Sequence, residues 1–502
     1  MKKINISLIV IGLWVLTSGL VCAQQQRVLR VSQALTEPAT LDPHMHHNVE
    51  TEDITRQICE HLIERAPDGK LIPSLATSWQ LINENTWQFK LRKGVRFHNG
   101  EEFDAKAVKF SIERIIDPNG KSPQKHWYSS ISQAEIIDDH TINIITKGID
   151  VLLPAKLGSF LGNIVPMQYL IEVGDAEFSR HPIGTGPFKF LSRGRSGEIA
   201  LVPNENYWGQ IPKIDRLEFY FIPDSQRQIE MLINGDLDIV SNIPPRSSLR
   251  LKQNPNTNLL KKATLQYTSS RMNTIKGGPL SDPRVRHSIN HAVDVDKLIK
   301  YVFNGNGKRL ATITMPEEFG FHPSLKPYPH DLQLAKDLLK KAGYSDGITL
   351  DFIVFHDLEE LGKAIEKELS KANIKTKTRL ISREDFIKGS TNRTLTFDLT
   401  LGNPTDPYFD ASFQLNLMFS SKGSFSVYQN KEVDQLLEQA ARTTNEATRG
   451  LILRKIQEII HSDAANLFLF QIIRAYGLQK RVSGFVPYAD GLLRLNEVSV
   501  RK

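Results

Sequence analysis

Between residues 334 and 402 the hydrophobic period switches repeatedly, and this limits the architectures open to the chain more than any other feature. Leu334, Ala335, Leu338, Leu339 and Ala342 recur at helical spacing, and Gly343 stops the run. Ile348, Leu350, Phe352 and Val354 then alternate at the two-residue period of a strand. Leu358, Leu361, Ile365 and Leu369 restore the helical period, "IKTKTRL" reads as the next strand, and "LTFDLTLG" as a further one. Strands alternating with helices require a sheet with helices packed on it, so the fold class is α/β. An earlier stretch repeats the theme. Leu217, Phe219 and Phe221 alternate, Ile229, Leu232 and Ile233 follow at helical spacing, and Gly235 ends the helix before "LDIV" begins a strand.

Other segments fill in the frame. "RVLRVSQAL" opens the folded part as a strand. "TWQFKLRKGVRFHNG" predicts a hairpin with Trp87, Phe89 and Leu91 on one arm and Val95 and Phe97 on the other. Asp104 is placed to cap a helix bearing Ala107, Val108, Ile112 and Ile115, and amphipathic helices are expected around Val433–Ala440 and Ile452–Ile460. At 502 residues the chain is long enough for several domains, and no low-complexity linker separates them.

The first residues read as an export leader. Lys2 and Lys3 precede the apolar run "INISLIVIGLWVLTSGL", and "VCA" offers small residues for cleavage after Ala23, giving a signal peptide over 1–23. Cys22 supplies the rival reading of a lipid anchor. Cleavage leaves Cys59 alone, so burial rather than an internal disulfide must hold the fold, and its helical pattern makes Cys59 a small apolar filler. The formal charge of +7 is scattered among acids and marks no nucleic-acid groove.

Catalytic signatures fail one by one. "FNGNGKRLA" lacks a phosphate-loop glycine and hydroxyl, "GTGPFKF" lacks the third glycine of a dinucleotide loop, and "GRSGE" is misspaced for a nucleophile elbow. "LDPHMHHNVE" gathers His44, His46 and His47, with Glu50 close by. Clustering alone reads as a structural or solvent-facing loop, and no metal site or cofactor is assigned.

A resemblance rests on the order of nine segments: "TLDPH" (40–44), "LIPSLATSWQ" (71–80), "FKLRKGVRFHNGEEFDAKAVKFSIERI" (89–115), "GTGPFKF" (184–190), "NENYWGQIPKIDRLEF" (204–219), "INGDLDIV" (233–240), "LSDPRVRHSINHAVDVDKLI" (280–299), "AKDLLKKAGYSDG" (335–347) and "VDQLLEQA" (433–440). Together they resemble solute-binding protein family 5, the periplasmic peptide- and nickel-binding components of ABC transporters. The resemblance implies a two-lobed α/β periplasmic-binding fold of type II-like form. Lobe I takes 24–268 and 481–502, with a subdomain inserted at about 53–180, and lobe II takes 269–480. It implies a monomer that closes on a small-molecule or peptide ligand and is read by an inner-membrane ABC permease. It implies no enzyme activity and no nucleic-acid partner; a secreted hydrolase is the rival class.

The resemblance also points to ligand contacts at His47, Val49, Arg271, Leu401, Gly402, Asn403 and Asp406. In peptide-binding members an aspartate three residues before an acidic residue and proline holds the ligand's α-amino group. Here "LTLGNPTDPYFD" has Asn403 at that position, before Asp406-Pro407, which departs from the peptide pattern. Nickel-binding members hold a chelate partly through arginines. This chain has Glu113 at one aligned position and no basic residue near "SFLGNIVP" at the other. The expectation is therefore an organic solute, with a modified peptide or a metal chelate as alternatives.

Overall fold

The two strand–helix runs of the sequence become the two ends of one large sheet. The computed structural model describes residues 26–33, 37–46, 48–159, 162–194, 197–392 and 394–501. The expected leader over 1–23, Cys22 and His47 lie outside the described residues.

At one end, Ile348–Phe355 runs parallel to both Ile374–Ile381 and Leu399–Gly402. Helix Glu359–Ser370 crosses between the first two, as parallel pairing demands. Its Leu361, Ile365 and Leu369 are buried with Leu350, Phe352 and Val354 in one cluster. At the other end, Val28–Gln33 runs parallel to Arg216–Phe221 and Ile239–Val240, with helix Ser225–Asn234 between the latter two. Gly235 adopts the left-handed conformation that closes this helix (φ 86°).

Two long strands join these ends. Thr257–Met272 and Asn466–Gln479 pair antiparallel from Thr257↔Gln479 to Arg271↔Asn466, with irregularities between Ala263 and Tyr267 and between Thr268 and Ser269. Bulges of this kind bend and twist a strand pair. Among the described residues the result is an eleven-stranded sheet, in which Thr257–Met272 pairs outward with Leu399–Gly402 and Asn466–Gln479 pairs with Ile239–Val240.

A separate four-stranded antiparallel sheet is ordered Ala76–Asn83, Thr86–Leu91, Thr141–Thr146, Ile131–Asp138. The expected hairpin is corrected here. Thr86–Leu91 pairs with Ala76–Asn83 and Thr141–Thr146, and Val95 and Phe97 lie in an irregular segment. They remain buried, at 2 % exposure each, so their apolar pattern records burial rather than pairing. Helix Ala105–Ile116 covers this sheet, capped by Asp104 as its sequence predicts.

The cores are separate. One cluster draws only on residues between Met272 and Phe470, another only on residues between Leu62 and Ile164. A third unites Leu29–Ile58, Phe188–Ile239 and Tyr476–Val500. A fourth, around Ile313, Leu415 and Ile456, also takes in Leu265, Tyr267 and Ala489. Cys59 is fully buried, as expected of an apolar filler, but the expected helical pattern is corrected: helix Val49–Ile58 ends before it, Cys59 is the extended C-cap and Ile63 opens a strand. Burial pushes its thiol well up.

Candidate functional site

Strands Ile348–Phe355, Ile374–Ile381 and Leu399–Gly402 point the same way, so their carboxyl ends come to one edge. Crevices at such ends are where open α/β sheets bind ligands. Here the three following loops are tied by one side chain. Arg383 donates from Nη2 to Asp357 (2.7 Å) and to the Asn403 amide oxygen (2.6 Å), and its guanidinium lies 4.7 Å from the Phe355 ring centroid. Gln266 donates to the main-chain oxygen of Asn403 (3.1 Å), fixing the same loop from the crossover strand. Arg383 and Asp357 stay half exposed. The sequence reading missed both, although each stands two residues beyond the end of a strand.

Arg271 sits beside this edge, opposite Thr400. Its guanidinium lies 4.9 Å from the Phe386 ring centroid and 5.8 Å from those of Phe397 and Phe425, and Nη1 donates to the Phe425 carbonyl (2.9 Å). Among the described residues no carboxylate pairs with it, and burial lowers its pKa to about 10. Gly402 and Asn403 lie at the strand end, partly exposed, whereas Leu401 is fully buried in the core with Met272 and Val354. The Leu401 side chain therefore faces the core.

Asp406 is also fully buried. Its two oxygens accept the main-chain N–H groups of Tyr408 and Asp410, both at 2.8 Å. Burial pushes its pKa up to about 7, and Glu318 beside it is pushed well up by burial and by Asp406. Asp406 thus shapes the turn from Thr405 to Asp410. Phe409 within that turn is left-handed (φ 57°).

The turn meets Arg65, at the end of strand Ile63–Arg65. Arg65 donates from Nη2 to the Tyr408 carbonyl (2.7 Å) and from Nη1 to the Gly69 carbonyl (2.8 Å), and it stacks 4.3 Å from the Phe409 centroid. On one side of this contact lies a cavity of about 660 Å³ walled by Trp79, Trp87, Leu152, Phe319, Phe409 and Arg449. Nearby, His126, Trp127, Asp150, Tyr408, Phe413 and Arg449 line a cavity of about 280 Å³.

The histidine loop packs elsewhere, against Asn163, Arg114 and Gln124. His44 is fully buried, with Nε2 2.7 Å from the Asn163 carbonyl and Nδ1 accepting from Arg114 (3.1 Å). Burial and Arg114 lower its pKa to about 4, so it is a neutral structural group. Arg114 in turn grips Asp42 at 3.0 and 2.5 Å. His46 lies 3.8 Å and His61 3.4 Å from the buried Glu52 carboxylate, which also accepts from Asn163 and Thr55. Gln124 donates to the Pro43 and His46 carbonyls. The loop is thus held from beneath up to residue 46. Val49 is partly exposed at the start of helix Val49–Ile58, which Asn48 caps through Thr51 N–H (2.8 Å). Among the described residues no group of three or more His, Cys, Asp or Glu side chains is arranged to hold a metal ion.

Comparison with known proteins matches this geometry to a family. The profile "Bacterial extracellular solute-binding proteins, family 5 Middle" covers residues 70–426. Heme-binding protein A of Haemophilus influenzae is 27 % identical over 484 residues, 89 % of this chain and 87 % of that protein. The structure of HbpA2 from Haemophilus parasuis superposes with a TM-score of 0.86 at 24 % identity, covering 95 % of this chain and 100 % of that one. The Helicobacter pylori periplasmic binding protein DppA, in complex with the peptide STSA, gives a TM-score of 0.79 at 26 % identity, covering 96 % and 99 %.

Proposed function

Because the chain belongs to the bacterial extracellular solute-binding proteins of family 5, non-catalytic components of ABC transport, we propose that it captures a small organic solute between two lobes and hands it to an inner-membrane permease. Lobe I comprises 24–268 with 481–502 and lobe II comprises 269–480. Separate cores support two lobes, but Tyr476 and Leu478 pack with lobe I residues and Leu265, Tyr267 and Ala489 with lobe II residues, so the change of lobe falls inside the strands Thr257–Met272 and Asn466–Gln479. Export through the leader over 1–23 puts the protein in the periplasm, where closure around the solute creates the shape a permease reads.

The observation that carries the reading is the strand-end edge of lobe II, where Asn403 stands in the place of an amine-binding aspartate and is held by Arg383. An ammonium taken out of water needs a carboxylate partner. The Asn403 amide supplies none, and the buried carboxyl three residues on, Asp406, is already bound to two main-chain N–H groups. We therefore favour a solute recognised other than by a free α-amino group, including a blocked peptide or a metal chelate. His47, Val49, Arg271, Gly402 and Asn403 are the proposed contacts, and Leu401 and Asp406 shape the wall from behind. Calorimetric titration of the mature protein with free dipeptides, chelated nickel and free zinc tests this. Heat with free dipeptides and none with the chelate would overturn the non-amine reading.

A further inference from the structure

The irregular strap 311–331 of lobe II is fastened by histidines that solute capture does not call on. Near its far end stands Tyr328, with three imidazoles around its ring. His461 is stacked on it (centroids 4.6 Å apart, 19°), and His287 and His291 meet it edge-on at 5.5 and 5.4 Å. His287 and His291 lie one turn apart on helix Pro283–Ala292, and His461 lies in the last turn of helix Glu446–Ser462. The strap is thereby pinned to two helices.

Each imidazole is committed to a main-chain carbonyl. A carbonyl only accepts, so each ring donates. His461 Nε2 donates to Lys326 (3.0 Å), His291 Nδ1 to Pro329 (2.8 Å) and His287 Nε2 to Ser462 (3.0 Å). The His291 carbonyl accepts in return from His330 Nδ1 and the Asp331 N–H, both at 3.0 Å, and the Tyr328 hydroxyl donates to the His461 carbonyl. One N–H per ring satisfies this set, so the neutral imidazoles are sufficient. A second proton on each would gather positive charge around one phenol.

The surrounding charges do not offset it. Arg286 adjoins His287, Arg309 donates to the Tyr328 carbonyl, and Lys326 adds a cation from the strap itself. Asp463 is divided between Arg286 (2.9 Å) and the Tyr428 hydroxyl (2.8 Å), and Asp296 takes Arg309 (2.9 Å). Asp331 caps helix Leu332–Lys341 through the Leu334 N–H (2.9 Å). Glu458 is shared by His322 (3.2 Å) and Lys455 (3.3 Å). The His322 pair gains on protonation and opposes release, but the Glu458 carboxylate is half exposed, and such pairs contribute little. His287 and His461 both lie below the ordinary imidazole pKa, through burial first and neighbouring imidazoles after it.

We infer that the histidine cage around Tyr328 is an acid-released latch, which holds strap 321–331 against lobe II near neutrality and lets it go in acid. The near end of the same strap supplies Glu317 and Phe319 to the wall of the 660 Å³ cavity. Phe319 donates to the Phe409 carbonyl (2.8 Å) and accepts from the Ala411 N–H (3.0 Å), so slackening of the strap reaches the turn at the cleft. An opened strap returns the rings to solvent and to a pKa near about 6.5. The open form therefore gains protons first as pH falls below that value, and each proton multiplies the open fraction by up to about tenfold per pH unit.

Hydrogen exchange of the full mature chain between about pH 8 and about pH 5 tests this, with protection expressed relative to the intrinsic rate at each pH. Peptides over 321–331 are expected to lose protection below about pH 6.5. Those over 315–320 should follow, and the buried strand Ile348–Phe355 should stay constant. Glutamine at both positions, His287→Gln with His461→Gln, keeps an amide N–H for the Ser462 and Lys326 carbonyls but takes up no proton, so this double variant should retain strap protection in acid. Tyr328→Phe removes the bond to the His461 carbonyl and leaves the imidazoles, so it should lower protection at every pH and keep the pH slope. The latch is overturned if wild-type protection over 321–331 is the same across the range, a result that needs no variant, or if the double variant loses it as steeply as wild type. Constant protection over 315–320 while 321–331 opens would overturn the link to the cleft. That link rests on the solute-capture reading, but no solute enters the measurement, so the latch and that reading fail separately.

Discussion

Replacing Arg65 by alanine should open the molecule. Arg65 is 3 % exposed, and its guanidinium bridges the halves through the Tyr408 carbonyl at 2.7 Å and the Phe409 ring at 4.3 Å. A charge-assisted hydrogen bond of this kind contributes roughly 1.5–3 kcal/mol net. A desolvated cation–π contact adds about 0.5–2 kcal/mol. Opposing both is the cost of burying a cation that contacts carbonyls rather than a carboxylate, which also lowers its pKa to about 10. A net of about 2 kcal/mol in favour of closure corresponds to about a 30-fold change in the closed-to-open ratio. Spin labels at Ile137→Cys and Leu451→Cys, both exposed positions on opposite halves, read that ratio as a distance distribution, and the buried Cys59 stays unlabelled. Arg65→Ala should move population to the longer distance. Gly69→Ala should do the same by another route, because a Cβ there would stand 2.5 Å from the Phe409 ring at a glycine with φ 88°. Unchanged distributions in both variants would refute the bridge as a closing contact. A single short distance in every sample would refute the mobility of the halves.

Asp410 and Arg449 form a buried bidentate pair at 2.7 Å on each arm, with side chains 8 % and 7 % exposed. Asp410→Asn should cost about 3–5 kcal/mol and lower the melting temperature clearly. Glu438→Gln, which breaks the exposed pair with Lys422, should leave it unchanged. Asp406 keeps its proton up to about pH 7 in the folded chain, whereas an unfolded aspartate loses it near about 3.9. The folded state then binds more protons between those values, so this group makes stability fall as pH rises through that window. Asp406→Asn should flatten that part of the melting-temperature profile, and an unaltered slope would count against a raised Asp406 carboxyl. Gly184 lets "GTGPFKF" pass against the helix end, since a Cβ there would fall 2.0 Å from the Ile58 carbonyl oxygen. Gly184→Ala should therefore reduce soluble yield and melting temperature together.

The strand and helix periods between 334 and 402 were legible because each element buries one face, and burial writes a period of two or of about 3.6 into the residues. Val95 and Phe97 show where that signal misleads: an irregular segment can bury alternate residues without pairing. The strand-end location of Gly402 and Asn403 was within reach for the same reason. Arg383 and Arg65 were not, because their roles depend on partners 20 and 343 residues away, and a lone arginine in a polar stretch looks like any solvated charge. Asp406 enters as a contact only through the resemblance, at the Asp-Pro pair, and no local pattern announces that its oxygens accept the main-chain N–H groups of its own turn. His44 kept its structural reading, since the imidazole is spent between Arg114 and Asn163.

Capture of an intact solute between the lobes is tested most directly by native mass spectrometry of the mature chain purified without denaturation. A complex of one chain with one organic solute is expected, and the solute freed by denaturation should have the same mass as that bound. A chain that holds no solute and gains none from the culture medium, or one that releases a cleaved product, would contradict non-covalent capture.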